Sequence, residues 1–508
     1  MSGFILRALT LPVLFFAPLA VLAGPVQSSH LSLPPDAASH RQVVVDIFTA
    51  SYDVYRKYAW GQDEVAPISK KPLNPRNGWG ASIVDGMSTM YIMGLEDLFN
   101  DAVNFAQGID FSHSKTADTV SLFESTIRYV AGLLSAYELS GKKHPGLVTK
   151  AKQLADCLSL GWTNNNVIPY NDLDFKHNTF ENTGTSIAAA GTLTLEWSRL
   201  SLYTGNNTYR KLAEDAVLRI ANNNAHVIAA GLPGQGLDPK TGAPTDAYVT
   251  WGGGSDSYFE YLIKYARLSN TDDNTYADKW RLAVESSIKT LLKTSTVGDH
   301  VYLADYDDDR KIRHVSSHLA CFHAGNWMLG GRLLNNETIV NIGLRLNDGC
   351  WNTYSSTATG IGPDGFAFAS ADGDYTGEQP PTTAQRAFYN KNGFYITNGY
   401  YIQRPEVLES NFYAWRVTGD TKYIDRAASA VRSFQAYLRA DGGYAGVEDV
   451  DSKQPSKNDE TQSFWFAEVL KYLFLTFDDP GHISLDDYVF NTEAHPFLAP
   501  PAKSKYGS

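Results

Sequence analysis

Apolar residues recur at spacings of three and four along most of this chain, the period of helices that bury one face. The pattern predicts helices near residues 41–59, 84–99, 119–140, 146–158, 182–204, 208–223, 255–268 and 276–295. Further helices are predicted near 316–330, 336–346, 380–391, 406–418, 421–439 and 461–477. Between them lie loops rich in Gly, Asn and Pro, which punctuate helices. About fourteen helices joined in succession pack as antiparallel pairs, and enough pairs close into a toroid with an inner and an outer ring. Periodicity alone does not separate seven pairs from six, or a closed barrel from an open solenoid, because the repeats are too irregular. Short strands are expected in the connections, for example at 167–170 and 301–303.

The 508 residues contain no Pro/Ser-rich linker or charge block that would divide them, so one large domain over residues 41–500 is expected. A polar segment at 24–40 precedes it and a short tail at 501–508 follows. Residues 1–23 read as a secretory leader, with Arg7, an apolar run broken by Pro12 and Pro18, and small residues before Gly24. The competing reading is a retained anchor, for which the run is short. A cleavable leader places the mature chain in the secretory pathway, secreted or in a Golgi or vesicular lumen, with no membrane attachment once the leader is gone. There Asn206 and Asn336, each in an Asn-x-Thr triplet, are candidate N-glycan acceptors and should lie at the surface.

A net charge of -12 argues against nucleic acid or an anionic membrane as partner. Aromatic residues make up 12% of the chain, and flat rings beside carboxylates and amides suit sugars, although large cores also consume aromatics. The three cysteines suggest one disulfide, with Cys321 and Cys350 on successive predicted helices as the pair. Cys157 falls on an apolar helical face and reads as a core thiol. No Cys/His spacing suits zinc.

Several acidic residues sit where chemistry could use them. Glu124 opens a helix four residues before Arg128, an arrangement that elsewhere is an ordinary surface ion pair. The helix that follows is almost wholly apolar or small, so the carboxyl should be desolvated and its acid form favoured. Asp256 follows the Gly-rich run 251–255 and stands at a helix start, where Asp usually serves as an N-cap. Glu406 lies in Arg404-Pro405-Glu406, with Pro405 in the first turn and Glu409 one turn on, another common helix-start pattern. Glu468 is alone in an apolar helix, which is costly unless the group is paired or ligating. Near the end, Phe490-Asn491-Thr492-Glu493-Ala494-His495-Pro496 offers Thr492, whose hydroxyl and carbonyl could both face one hard cation. A simple turn cap is the plainer reading of that stretch.

Taken together and in order, the segments 123–128, 256–261, 404–406 and 490–496 resemble the motif set of glycoside hydrolase family 47, the class I α-1,2-mannosidases, over residues 43–496. The resemblance implies an all-α (αα)7 barrel with short β-hairpins in its connections. It implies an inverting, calcium-dependent exo-α-1,2-mannosidase that acts as a monomer on high-mannose N-glycans of glycoproteins. Glu124 would be the general acid, acting through water, Glu406 the general base, and Asp256 a third essential acid. Arg128, Arg404, Glu409, Phe464, Glu468, Glu493 and His318 would bind substrate, with Phe464 packing against the sugar ring and Glu468 holding metal-bound water. Thr492 would be the protein's direct ligand to Ca2+. A packed structural histidine is an equal reading of His318. One departure bears on specificity: members that trim a single mannose carry Arg two residues before the Asp matching Asp256, and here that position is Gly254. Two rival readings are a non-catalytic, mannose-binding lectin-like member of the family acting on misfolded glycoproteins and another inverting α-toroid glycosidase such as a glucoamylase.

Overall fold

The computed structural model describes residues 25–163, 165–223, 227–375 and 380–508. The leader expected at 1–23 lies outside the described residues. Within them, seven helices form an inner ring and seven an outer ring, an (αα)7 barrel. The inner ring consists of Ala81–Ile92, Ala131–Leu139, Thr194–Thr204, Asp256–Ser269, Phe322–Leu333, Glu406–Thr418 and Leu470–Phe477. The outer ring consists of Ala37–Ala59, Glu96–Gln107, Pro145–Leu158, Thr208–Ala221, Thr275–Thr290, Glu337–Ser355 and Lys422–Tyr437. Each inner helix packs on its neighbours in the ring, and the ring closes where the turn Trp465–Val469, leading into the last helix, packs on the first; Ala37–Ala59 covers Leu470–Phe477 from outside.

The two rings differ in what they bury. Along Asp256–Ser269 and Glu406–Thr418 nearly every side chain is buried, charged ones included. An outer helix such as Pro145–Leu158 buries one stripe, Leu147, Ala151, Leu154, Ala155 and Leu158. Cys157 lies beside that stripe and is half-buried, not the core thiol its spacing suggested. Cys321 and Cys350 are joined, tying the head of an inner helix to its outer partner.

Several predicted boundaries move. The segment 84–99 is two helices, because Gly94 at φ +72° turns the chain between Ala81–Ile92 and Glu96–Gln107. The segment 182–204 begins as a strand at Thr185–Ser186, and its helix is interrupted after Ile187–Gly191 before resuming at Thr194–Thr204. The helix over 276–295 stops at Thr290, where Leu292–Thr294 leaves to pair with the expected strand Val301–Leu303. No strand forms at 167–170: Pro169 has no N–H to give a ladder, and the N–H groups of Val167 and Ile168 both turn to Pro239 O. The helix over 336–346 runs on to Ser355.

Both ends of the described chain are packed. Val26 is buried and its N–H donates to Asp486 Oδ1, while Tyr506 is buried with its hydroxyl on Asn270 Oδ1. No described helix is long and apolar enough to cross a membrane.

Candidate active site

The residues singled out in the sequence converge on one end of the barrel. A cavity of about 490 Å3 is lined by Glu124, Arg128, Asp256, Arg404, Glu406, Phe464, Glu468, Thr492 and Glu493. Two expected members stand behind its wall. His318 is fully buried beneath Glu406, and Glu409, a turn below Glu406, accepts a hydrogen bond from Tyr472.

Local structure explains how each group arrives there. Ser121 caps the single turn Leu122–Glu124, its hydroxyl accepting from Glu124 N–H at 3.2 Å. The chain then widens into a π-helix over Ser125–Val130 before Ala131–Leu139 continues as α. A second π-helix, Trp465–Val469, carries Glu468. Such segments shift side chains off the regular helical stripe, and both present an ionisable group to this site. Asp256 is the first residue of its helix and not the cap expected of it: its Oδ1 accepts from Ser257 N–H at 2.8 Å, and Ser255 precedes it. The Thr492 turn closes a hairpin between Tyr488–Phe490 and Pro496–Leu498. Ala494 within it holds φ +56°, a conformation a non-glycine residue adopts at some cost. The turn is braced from below by Lys471 Nζ, which donates to Ala494 O at 2.6 Å.

The cavity is electrostatically divided. On one side Arg128 donates through Nε to Glu124 Oε2 at 2.8 Å, pairs with Glu493, and lies 3.6 Å from Asp85. Arg76 reaches Glu124 Oε2 from the other flank, at 3.5 Å. Burial pushes the Glu124 carboxyl up, but these two guanidiniums outweigh it and hold the pKa below its usual value. The acid form is therefore not the favoured one at Glu124, contrary to the expectation from its apolar helix, because the opposing charges come from Arg128 and a distant loop. Asp256 behaves in the opposite way. Burial, with no cation against it, raises its carboxyl to about 7.

On the floor, carboxyls crowd together. Burial, then the charges of Glu493, Glu406 and Glu409, push Glu468 well above the carboxylate range. Burial raises Glu493 to about 8 despite Arg128, and raises Glu409 well up with Glu260 adding to it. Glu406 is held by His318, whose Nδ1 is 2.7 Å from its Oε2, and His318 Nε2 is 2.8 Å from the Tyr354 hydroxyl. Arg404 Nε donates to Asp364 Oδ1 at 2.6 Å. The Arg128 guanidinium also lies 5.7 Å from the Phe464 ring centre. Among the described residues, no group of three or more His, Cys, Asp or Glu is arranged to hold a metal.

Sequence reasoning missed Arg76, Glu460 and Gln462, which also line the cavity. Arg76 lies in a loop with no periodicity. It is placed by Asp63, a buried carboxylate accepting from the N–H groups of Arg76, Gly78, Gly80 and Ala81. The two candidate acceptors lie apart from the cavity residues. Asn206 is exposed, and Asn336 is half-buried with its Oδ1 capping a helix through Ile339 N–H.

Acidic groups gathered in a cavity at one end of an α-toroid are the arrangement a glycosidase needs. The comparisons make this specific: residues 47–499 match the model of glycosyl hydrolase family 47, and the chain belongs to that family. It is 40% identical to a probable mannosyl-oligosaccharide alpha-1,2-mannosidase 1B of Aspergillus clavatus, over 94% of this chain and 98% of the relative. It is 38% identical to a mannosyl-oligosaccharide alpha-1,2-mannosidase of Penicillium citrinum, over 96% and 98%. The solved structure of an alpha-1,2-mannosidase from Trichoderma reesei superposes with a TM-score of 0.87 at 34% identity, covering 91% of this chain and 99% of that one.

Proposed function

We propose that this glycosidase is an inverting, calcium-dependent exo-α-1,2-mannosidase that trims terminal α-1,2-linked mannoses from high-mannose N-glycans. The observation that carries the reading is the convergence of Glu124, Asp256, Glu406 and Thr492 on one cavity. Family membership and the names of the relatives support it. The presence of Glu124, Asp256, Glu406 and Thr492 together argues against a lectin-like member, and a glucoamylase-type site would have no use for Thr492.

Glu406, fixed by His318, takes the proton of the attacking water. Glu124 passes a proton through an intervening water to the leaving oxygen. Asp256, whose carboxyl burial raises to about 7, is the third acid on the same cavity. Direct attack by water inverts the anomeric centre. Phe464 supplies an apolar face for the sugar ring, and Arg128, Arg404, Glu468 and Glu493 surround its hydroxyls.

The residues fit a hard cation. Among the described residues, no hydrogen bond uses the hydroxyl or carbonyl oxygen of Thr492, and the floor beneath gathers carboxyl oxygens, Glu468 and Glu493 among them, in the same cavity. Thr492 would be the direct protein ligand, with water completing the shell and Glu468 holding that water. Bound calcium would supply Lewis-acid stabilisation of the sugar's ring distortion. Gly254 lines the cavity beside Asp256 with no side chain of its own, where single-mannose members carry Arg by the resemblance, so a roomier cleft is expected. A roomy cleft suits removal of several mannoses. The enzyme would work as a secreted or lumenal monomer, with N-glycans on Asn206 and Asn336. Glycan profiling of a high-mannose oligosaccharide tests the reading: release of several α-1,2-linked mannoses supports it, and binding without release favours the lectin.

A further inference from the structure

The metal-facing role of Thr492, on which this inference rests, does not explain a buried carboxyl that does not line the cavity. Glu196 is fully buried on the helix Thr194–Thr204. A buried carboxyl is costly unless hydrogen-bonded, so its partners carry the meaning. Its Oε1 accepts from the Tyr261 hydroxyl at 2.6 Å and from Asn491 Nδ2 at 2.9 Å. The Tyr261 oxygen in turn accepts from Thr492 N–H at 3.2 Å. Asn491 is fully engaged: Nδ2 also donates to Ile127 O at 2.9 Å, and Oδ1 accepts from the N–H groups of Glu493 and His495 at 3.0 and 2.8 Å.

The direction of this chain is fixed by chemistry. The Thr492 N–H and the Asn491 amide N–H can only donate, so the Tyr261 oxygen accepts from Thr492, its own hydrogen goes to Glu196 Oε1, and that oxygen accepts whether or not Oε2 carries a proton. Each bond polarises the next. Tyr261 also stands five residues after Asp256 on the same helix, so the chain ties the Thr492 turn to the element that carries a catalytic acid.

We infer that Glu196 and Tyr261 are positioning residues for the cation site. Tyr261 holds the N–H of Thr492 directly, and Glu196 acts also through Asn491, whose Oδ1 accepts from Glu493 N–H in the peptide that carries the Thr492 carbonyl and whose Nδ2 braces the turn against the π-helix of Arg128; together they leave the Thr492 carbonyl and hydroxyl free to ligate. Neither touches substrate. A merely structural pair would affect folding and leave cation affinity alone, whereas a positioning pair governs that affinity.

The test uses the full-length protein stripped with chelator, titrated with Ca2+ by calorimetry, with the melting temperature of each stripped variant measured alongside. Y261F deletes one hydrogen-bonding group and should weaken Ca2+ binding about five- to tenfold while the stripped protein melts close to wild type. E196L should do the same, and E196Q, which keeps an acceptor oxygen, should recover most of the affinity. Unchanged Ca2+ affinity in Y261F and E196L overturns the inference, as does an affinity loss that only mirrors a fall in the melting temperature of the stripped protein. If wild type itself binds no Ca2+, the calcium reading falls and this inference with it, an outcome distinct from the others.

Discussion

His318 Nδ1 stands 2.7 Å from Glu406 Oε2, and the other ring nitrogen is 2.8 Å from the Tyr354 hydroxyl, so the proposed base is oriented from beneath by two fully buried side chains. A carboxylate fixed in this way aims its free oxygen into the cavity with little freedom to turn. Substituting H318A should lower kcat about 10²-fold with a smaller change in KM, since misplacement of a base falls mainly on the chemical step. Steady-state kinetics on an α-1,2-linked disaccharide checks this. A change confined to KM would instead make His318 a binding residue.

Arg76 and Arg128 flank Glu124 and keep its carboxyl below the usual pKa. Asp85 and Glu493 are the carboxyls that act on the same group from the other side. Removing one cation raises the pKa of Glu124, so in R76Q the limb of the kcat/KM profile that reports its ionisation should move to higher pH. R76K, which keeps the charge, should leave the limb near its wild-type position. A profile that does not move in R76Q would rule out charge tuning by Arg76.

Asp256 has the opposite sign. Its pKa is raised to about 7, so it is protonated below that pH and loses the proton as pH rises through it. Activity that draws on this proton should fall on the alkaline side near pH 7, and D256N should abolish that limb together with most of kcat. Persistence of the limb in residual D256N activity would assign it to another group.

How much of this was legible in sequence varies with range. Glu124, Asp256, Glu406 and Thr492 were recognisable because each sits in a short motif, and short motifs survive without knowledge of the fold. The succession of helix pairs was visible through periodicity, but neither its closure into a ring of seven nor the break at Gly94 was, the latter because apolar spacing ran across it. The protonation preference of Glu124 was misread for a different reason. Its own helix predicts desolvation, while a deciding charge comes from Arg76, forty-eight residues earlier in a loop pinned by Asp63. The two π-helices were equally hidden, since no residue pattern distinguishes them from α-helix.

The Cys321–Cys350 bridge closes a span of 29 residues between an inner and an outer helix. Loss of such a loop constraint costs about 3 kcal/mol, so C350S should lower the melting temperature yet retain activity at 25 °C. Calorimetry beside an activity assay separates the two effects.

Gly254 at φ +86° is a test of specificity. G254R introduces on the cavity wall a strained residue that must displace the Gln235 side chain, so it should reduce stability by about 1 kcal/mol and make trimming stop after fewer mannoses. Mass profiling of the products of wild type and variant decides this. Identical end points would remove Gly254 from the specificity account.

The most direct measurement is a proton NMR time course on a high-mannose oligosaccharide, run with Ca2+, after exhaustive chelation, and after Ca2+ is restored. The account predicts loss of α-1,2-linkage signals with β-mannose appearing first, arrest on chelation and recovery on readdition. Release of α-mannose first, or undiminished release in the chelated sample, would contradict it.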